Sequence, residues 1–256
     1  MANAKLEGVG VLVTRPRMQA VELVAAIENA GGSAFCFPVL DIAAIDENIV
    51  SANAARLARP DIVVFVSRNA VEYGLKYTNG GKIAAIGPAT ASAVTSAGHF
   101  VDIQPAAGFD SEHLLAEPML KDVADKNVRI IRGSAGRELL AEKLAARGAT
   151  VDYLSVYERR LPDVREQTLA DLESRWRSGG IAFITVMSVQ SFQNLVSLLP
   201  AWCENQLETT PLVTPASRVL KEVLDRYPAS RPILASGPQA SKMVEAIIAR
   251  QQALAP

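Results

Sequence analysis

The sequence predicts an α/β protein built from two similar lobes, each a parallel sheet flanked by helices, joined by a two-stranded β connector. Three observations predict it: short apolar runs alternating with amphipathic helical stretches, an internal repeat that keeps its order along the chain, and turn residues gathered where runs give way to helices. The runs lie at 9–13, 62–66, 83–86, 128–131, 181–186, and 212–213 with 233–234. They are short and almost uniformly apolar, as strands covered on both faces of a parallel sheet are. Between them, 20–29, 137–147, 189–199 and 217–225 carry apolar residues at helical spacing, which gives a βαβ alternation.

The first run passes through Thr14, Arg15 and Pro16 into a helix that ends at Ala30, Gly31 and Gly32, where glycine supports a left-handed cap. Strand ends therefore meet helix starts again and again. In open parallel sheets that edge takes ligands, because unpaired N–H groups and positive helix ends point outward there.

The repeat pairs VLVTRPR at 11–17 with VRIIRGS at 128–134, which sets Arg15 opposite Arg132; the same offset sets Gly31 opposite Gly148. FVSRNAV at 65–71 then pairs with FITVMSV at 183–189, and GPAT at 87–90 with TPAS at 214–217. The period is too long for a solenoid, so two α/β units are expected. CFPVLDIAA at 36–44 and YLSVYERRL at 153–161 fall at equivalent places, with strand-like alternation, and are expected to pair as the connector between the lobes.

A chain of 256 residues suits two domains better than one, and 49% apolar residues supply their cores. With 26 basic and 27 acidic side chains the net charge is −1, so neither nucleic acid nor an anionic membrane is expected as a partner. An anionic ligand has to be held by local groups. Cys36 and Cys203 stand far apart without neighbouring histidines, which reads as plain thiols and neither a metal site nor a disulfide framework. The start, MANAKLEGVG, lacks the charge and apolar stretch of a signal peptide, and no apolar run approaches the ~18 residues of a membrane span; a cytoplasmic location is expected.

Nucleotide motifs fail on position. The only G-x-G, Gly8 to Gly10, precedes the first strand, and NGGK at 79–82 lacks the upstream glycine and the hydroxyl of a phosphate loop. His99 and His113 are isolated, so no metal site or catalytic triad is expected. What remains is a series of hydroxyl and basic residues after the strands: Thr14, Arg15, Ser67, Arg68, Asn69, Thr90, Ser111, Glu112, Arg132, Gly133, Ser134, Ser188 and Ser217. Helix capping accounts for each alone. As a set they suit a ligand with several carboxylates, bound by N–H groups, hydroxyls and a few guanidiniums. Tyr157 by itself reads equally as a ring covering a strand pair.

VTRP at 13–16, FPVLDI at 37–42, FVSRNAV at 65–71, IAAIGPATASAV at 83–94, DSEHLL at 110–115, IIRGSAGRELL at 130–140 and GATVDYLSVYE at 148–158 follow in an order that resembles the uroporphyrinogen-III synthase family. The likeness runs over about 10–247, and FVSRNAV is similar to the family's F-T-S-x-N-A-V segment. The later strand ends depart from the family's serine-rich pattern, reading TVMS at 185–188 and TPASR at 214–218. The resemblance implies a first lobe formed by 1–38 and 160–256, and a second by 39–159. It implies a monomeric lyase of tetrapyrrole (haem) biosynthesis that needs no metal or organic cofactor. Its substrate would be hydroxymethylbilane, a linear tetrapyrrole with eight carboxylates. The terminal hydroxyl leaves as water, the substituted carbon of the last pyrrole is attacked, and a spiro intermediate reorganises so that this ring is inverted in uroporphyrinogen III.

The bilane closes unaided to the non-inverted isomer, so the protein's task under this reading is to hold the two ends in the other geometry. Tyr157 is carried over as the proton donor, or as the group positioning the leaving hydroxyl, since a phenol is neutral at neutral pH. Gly87 and Arg137, inside the matched segments, join Thr14, Arg15, Ser67, Asn69, Thr90, Ser111, Glu112, Arg132, Gly133, Ser134, Ser188 and Ser217 as expected substrate contacts. Two other readings compete: a two-lobed binding protein without chemistry, and an inactive paralogue used as an interaction module. Turnover of the tetrapyrrole separates the enzyme from both.

Overall fold

The computed structural model describes residues 5–136 and 138–254. In chain order the elements are β1 (Gly10–Val13), α1 (Arg17–Asn29), β2 (Ser33–Cys36), β3 (Asp41–Ala44), α2 (Glu47–Ala55), β4 (Ile62–Phe65), α3 (Arg68–Gly74), β5 (Lys82–Ala85), α4 (Pro88–Ser96), α5 (Ser111–Ala116) and α6 (Pro118–Lys121). They continue with β6 (Asn127–Gly133), α7 (Leu139–Ala145), β7 (Thr150–Arg160), α8 (Glu166–Arg177), β8 (Phe183–Thr185), α9 (Val189–Leu198), α10 (Glu204–Thr209), β9 (Leu212–Thr214), α11 (Ser217–Arg226), β10 (Ile233–Leu234) and α12 (Ala240–Leu254). The contacts divide the chain into two units, one with the residues up to Asp41 and those from Arg160 onward, the other spanning Ile42–Arg159.

The first unit holds a sheet of order β10-β9-β8-β1-β2, with its register-matched pairs parallel. Alternation along β1 sends Leu12 to one face and Val11 and Val13 to the other. On the Leu12 side lie Leu172 and Trp176 of α8, Phe192 and Leu195 of α9, and Val219 and Val223 of α11. On the other side lie Ala20, Leu23 and Ile27 of α1 and Met243, Val244 and Ile247 of α12. Each fully buried Leu, Ile or Phe stabilises its unit by roughly 1.5–3 kcal/mol, and with both faces covered the strands can be apolar throughout. Both cysteines are free thiols, and burial pushes Cys203 up to about 12.

The second unit has the order β3-β7-β6-β4-β5. Its two faces are covered by α2, α3 and α4 on one side and by α5, α6 and α7 on the other. The repeat is visible in the sheet orders: β2-β1-β8-β9 in the first sheet corresponds to β7-β6-β4-β5 in the second. Gly31 and Gly148, matched by sequence, both take a left-handed backbone, with φ of 89° and 86°, after α1 and α7 respectively. A side chain at either place would strain the turn that returns the chain to the sheet.

The segment 36–44, expected as one extended crossing, is divided. Cys36 closes β2, and the Phe37 and Val39 N–H groups still bond to the Val13 and Thr14 carbonyls of the first sheet before β3 begins. Val39 is fully buried in the first unit, so 37–40 serves that core as well as linking the strands. β3 and β7, which carry the chain from one unit to the other, are neighbours in the second sheet.

Arg129 lies on β6 in the second core and is fully buried. Its guanidinium donates to the Tyr77 carbonyl at 3.2 Å, at the end of a 3₁₀ turn (Leu75–Tyr77), and to the Ala58 carbonyl at 2.8 Å, in the loop after α2. One cation thus satisfies two buried carbonyls, one of them at the C-terminal end of a helical turn, where partial negative charge gathers. Replacing Arg129 by Met is expected to cost the second unit about 2–4 kcal/mol, because both carbonyls lose their donor. Urea unfolding reads this as a lower midpoint; an unchanged midpoint would mean that water reaches both carbonyls.

Candidate active site

In the second sheet the chain proceeds outward from β4 to β5 in one direction and from β6 to β7 in the other. The reversal falls between β4 and β6. Helices leaving two adjacent strands then diverge to opposite faces and open a crevice at the strand ends, which is where α/β sheets bind ligands. A cavity of about 360 Å³ occupies this place, lined by Ser67 after β4, by Arg132 and Gly133 at the end of β6, and by Tyr153, Tyr157 and Arg159 of β7. Phe109, Asp110 and Ser111 at the start of α5 complete the wall.

The orientation of Tyr157 depends on a β-bulge. Arg132 pairs with Ser155, yet the next residue of β6, Gly133, pairs with Tyr157, so Val156 is an extra residue in β7. Without it, Tyr157 would share the face of Tyr153 and Ser155. With it, Val156 and Tyr157 both join the core against α2 and α3, and the phenol ring packs 6.2 Å from the ring of Tyr73 on α3. The Tyr157 ring is buried, and its hydroxyl is 3.2 Å from Ser67 Oγ, with either oxygen able to donate. Ser67 is also the N-cap of α3, accepting from the Ala70 N–H at 3.1 Å. One serine thus closes the helix start and holds the phenol, which explains a hydroxyl there on two counts.

Gly133 is the partner that makes room. A Cβ at Gly133 would lie 2.8 Å from Tyr157 Cε2 and 2.9 Å from Cζ, closer than side chains pack. Beyond it, the Ser134 N–H donates to the Tyr157 carbonyl at 2.9 Å, which pins the strand at the bulge. Arg132 is 9% exposed; its Nε donates to the Gly133 carbonyl at 3.2 Å and its Cζ sits 4.6 Å over the Tyr153 ring. Asp110 caps α5, accepting from the His113 N–H at 2.9 Å, and this bond together with the His113 ring holds its carboxyl below the usual range.

Of the expected site residues, Ser67, Ser111, Arg132, Gly133 and Tyr157 therefore converge on one cavity, and Ser134 adjoins it. Gly87 is the N-cap of α4 and lies under Phe109, whose Cβ would be 3.0 Å from a Cβ added at Gly87. Asn69 in α3, the buried Thr90 in α4 and the exposed Glu112 in α5 do not line the cavity. Arg137 lies outside the described residues. Thr14, Arg15, Ser188 and Ser217 belong to the first unit, after the adjacent strands β1, β8 and β9. There Thr14 is buried and donates to the Thr185 carbonyl at 2.6 Å, the Arg15 guanidinium reaches the Pro238 carbonyl, and Ser188 caps α9. Ser217 is the exposed first residue of α11.

Sequence reasoning passed over Phe109, Asp110, Tyr153 and Arg159. Alternation around Tyr157 would have picked out Tyr153 and Arg159, though for a different reason than the bulged geometry. Phe109 sits in a stretch without periodicity and left no signal.

Two repeated, mostly parallel sheets, with a cavity of hydroxyl, basic and phenol groups at the switch point of one of them, define a two-unit α/β protein with a strand-end ligand site. The profile of the family described as uroporphyrinogen-III synthase HemD matches residues 21–245. A uroporphyrinogen-III synthase of Salmonella typhimurium is 33% identical over 201 residues, covering 75% of this chain and 80% of that protein. That of Escherichia coli K12 is 30% identical over 203 residues, with 75% and 80% covered. The crystal structure of uroporphyrinogen-III synthetase from Helicobacter pylori 26695 shares the fold, with a TM-score of 0.62 at 12% identity over 94% of this chain and 99% of that one. The chain belongs to the uroporphyrinogen-III synthase family.

The close approach of Gly133 to the ring gives a direct check on the site's packing. Gly133→Ala is expected to push the phenol off Ser67 and to cost about 1–3 kcal/mol through overpacking, with the secondary structure retained. Near-ultraviolet circular dichroism and urea unfolding measure both effects. A variant as stable as the parent, with an unchanged tyrosine signal, would contradict the contact.

Proposed function

We propose that this protein is a cofactor-independent lyase that cyclises hydroxymethylbilane to uroporphyrinogen III, inverting the terminal pyrrole ring and releasing water. The observation that carries the reading is the buried phenol of Tyr157, bonded to Ser67 in a cavity of basic and hydroxyl groups, in a chain of this family. In this reading the cavity, which holds Tyr157, takes the reacting end of the bilane. Tyr157 gives its proton to the departing hydroxyl, which leaves as water. The electron-poor methylene that results is attacked by the substituted carbon of the last pyrrole to give a spiro centre. The bond from that carbon to its original methylene then breaks, and the free α-carbon of the same ring attacks the released methylene and loses its proton. A proton released when the pyrrole regains aromaticity returns Tyr157 to its neutral form. A second hydroxyl within hydrogen-bond reach of the phenol supports this role, because Ser67 can donate to the phenolate as the proton leaves.

Selectivity in this scheme is geometric. Both isomers arise from the same reactive intermediate, and holding the chain ends so that one carbon is reached first favours type III. The proposed substrate contacts are Ser67, Ser111, Arg132, Gly133 and Ser134 at the cavity, with Gly87, Thr90, Asn69, Glu112 and Arg137 from the second unit, and Thr14, Arg15, Ser188 and Ser217 from the first. We further propose that residues 1–38 with 160–256, and 39–159, act as the two functional lobes of a monomer in the cytoplasm, where two free thiols persist. Light scattering is expected to give a mass near 27.3 kDa; twice that value would refute the monomer.

The test generates hydroxymethylbilane in situ, adds the protein without metal or cofactor, oxidises the products and resolves the uroporphyrin isomers. Predominant type III is expected, and Tyr157→Phe is expected to slow closure about a hundredfold with the fold intact. Type I alone, at the rate without protein, would overturn the assignment in favour of a binding protein. Unchanged turnover by Tyr157→Phe would remove Tyr157 from the mechanism.

A further inference from the structure

Arg129 and Arg132 stand three residues apart on β6, and both are at least nine-tenths buried. Their surroundings differ. Arg129 spends its terminal nitrogens on two carbonyls of its own chain. Arg132 bonds its chain only through Nε, and its terminal nitrogens have no acceptor among the described residues. No carboxylate among those residues lies within ion-pair distance of it. A mostly buried guanidinium without a counter-charge is unfavourable in general, and an outside anion completes it. Arg132 lines the cavity, so that anion arrives there.

Three contacts hold the guanidinium still. The Gly133 carbonyl takes Nε, the Tyr153 ring lies 4.6 Å from Cζ, and the backbone of Gly136 comes so near that a Cβ there would be 2.7 Å from Nη2. Arg132 and Tyr153 meet because they lie before the bulge, on the face shared by Ser155, whereas Tyr157 is turned to the other. A planar fork fixed on one edge and one face leaves its remaining N–H groups in the geometry that matches a carboxylate.

We propose that Arg132 is a receptor for one carboxylate of the ligand and that Tyr153 is its positioning residue, holding the guanidinium plane by a cation–π contact. This rests on the polycarboxylate ligand proposed above. Tyr153 contacts the Arg132 guanidinium, and in this proposal its effect falls on binding more than on chemistry. Tyr153 is 37% exposed, so its replacement is expected to leave the core in place.

The experiment titrates the full chain with uroporphyrin, a fluorescent octacarboxylate, and in parallel with its uncharged octamethyl ester. Arg132→Gln is expected to weaken uroporphyrin binding about tenfold and ester binding not at all, and Arg132→Lys to restore only part of the loss. Tyr153→Leu is expected to weaken uroporphyrin about fivefold, while Tyr153→Phe and Tyr153→Trp stay within about twofold of the parent. In turnover, Tyr153→Leu should raise KM with little change in kcat, and its urea midpoint should match the parent. The proposal is overturned if the parent does not bind uroporphyrin, if Tyr153→Leu binds as the parent does, or if Tyr153→Phe is as weak as Tyr153→Leu. Equal weakening of acid and ester by Arg132→Gln would also overturn it, by showing a packing effect. A parent that binds uroporphyrin through Arg132 but never cyclises the bilane would leave this receptor standing and defeat the synthase reading instead.

Discussion

Because helices cover both faces of each sheet, a polar side chain within a strand has no water to turn to, and the chemistry of this protein is pressed towards the strand ends. β1, β4, β8 and β9 are buried along their whole length. Thr14, Ser67, Ser188 and Ser217 come one to three residues after these strands, where the backbone N–H groups of the next helix also come free, and Arg132 and Tyr157 lie near the ends of β6 and β7. In the second unit the two innermost strands send their helices to opposite faces, which opens the cavity between Ser67 and Gly133. The site is therefore a consequence of strand order, and the side chains only decide what it binds.

Within that constraint, the single extra residue in β7 separates two functions that plain alternation would have merged. Before the bulge, Tyr153 and Arg132 share the face that packs against α5 and α7. After it, Tyr157 faces α3 and meets Ser67 and Tyr73. Bulges beside functional sites re-aim side chains in this way, at the cost of one ladder position. Here the Ser134 N–H returns a bond to the Tyr157 carbonyl, so the local disruption is small. A guanidinium suited to hold charge and a phenol suited to give up a proton are thereby placed on opposite faces of the sheet, yet both reach the same cavity.

The two buried arginines of β6 illustrate how context divides identical side chains between structure and function. Burial lowers the readiness of Arg129 to carry charge, and the Tyr77 and Ala58 carbonyls offset that cost. Among the described residues, Arg132 has no such acceptors for its terminal nitrogens. A similar division separates Arg15 from Arg132, which the internal repeat set opposite each other: Arg15 bonds a carbonyl of the first unit, whereas Arg132 lines a cavity. Repeats preserve backbone geometry, as the matched conformations of Gly31 and Gly148 attest, but they do not preserve side-chain partners.

The amino-acid sequence by itself determined the α/β class, the two related units, most of the strand positions apart from β2, and the strand-end edge on which Ser67, Ser111, Arg132 and Gly133 would fall. Those features follow from short-range patterns: apolar runs of strand length, helical spacing between them, and Gly, Ser and Thr at the joints. Only the tertiary structure decided which of these residues share a cavity, because that depends on the sheet order and on a register shift between strands separated in sequence. Pattern alone could not show that Val156 is an extra residue, that Gly133 makes room for a ring, or that Phe109 closes the wall from a stretch without periodicity. Each depends on a contact between distant segments, and the side chains involved obey the local rules whether or not that contact is made.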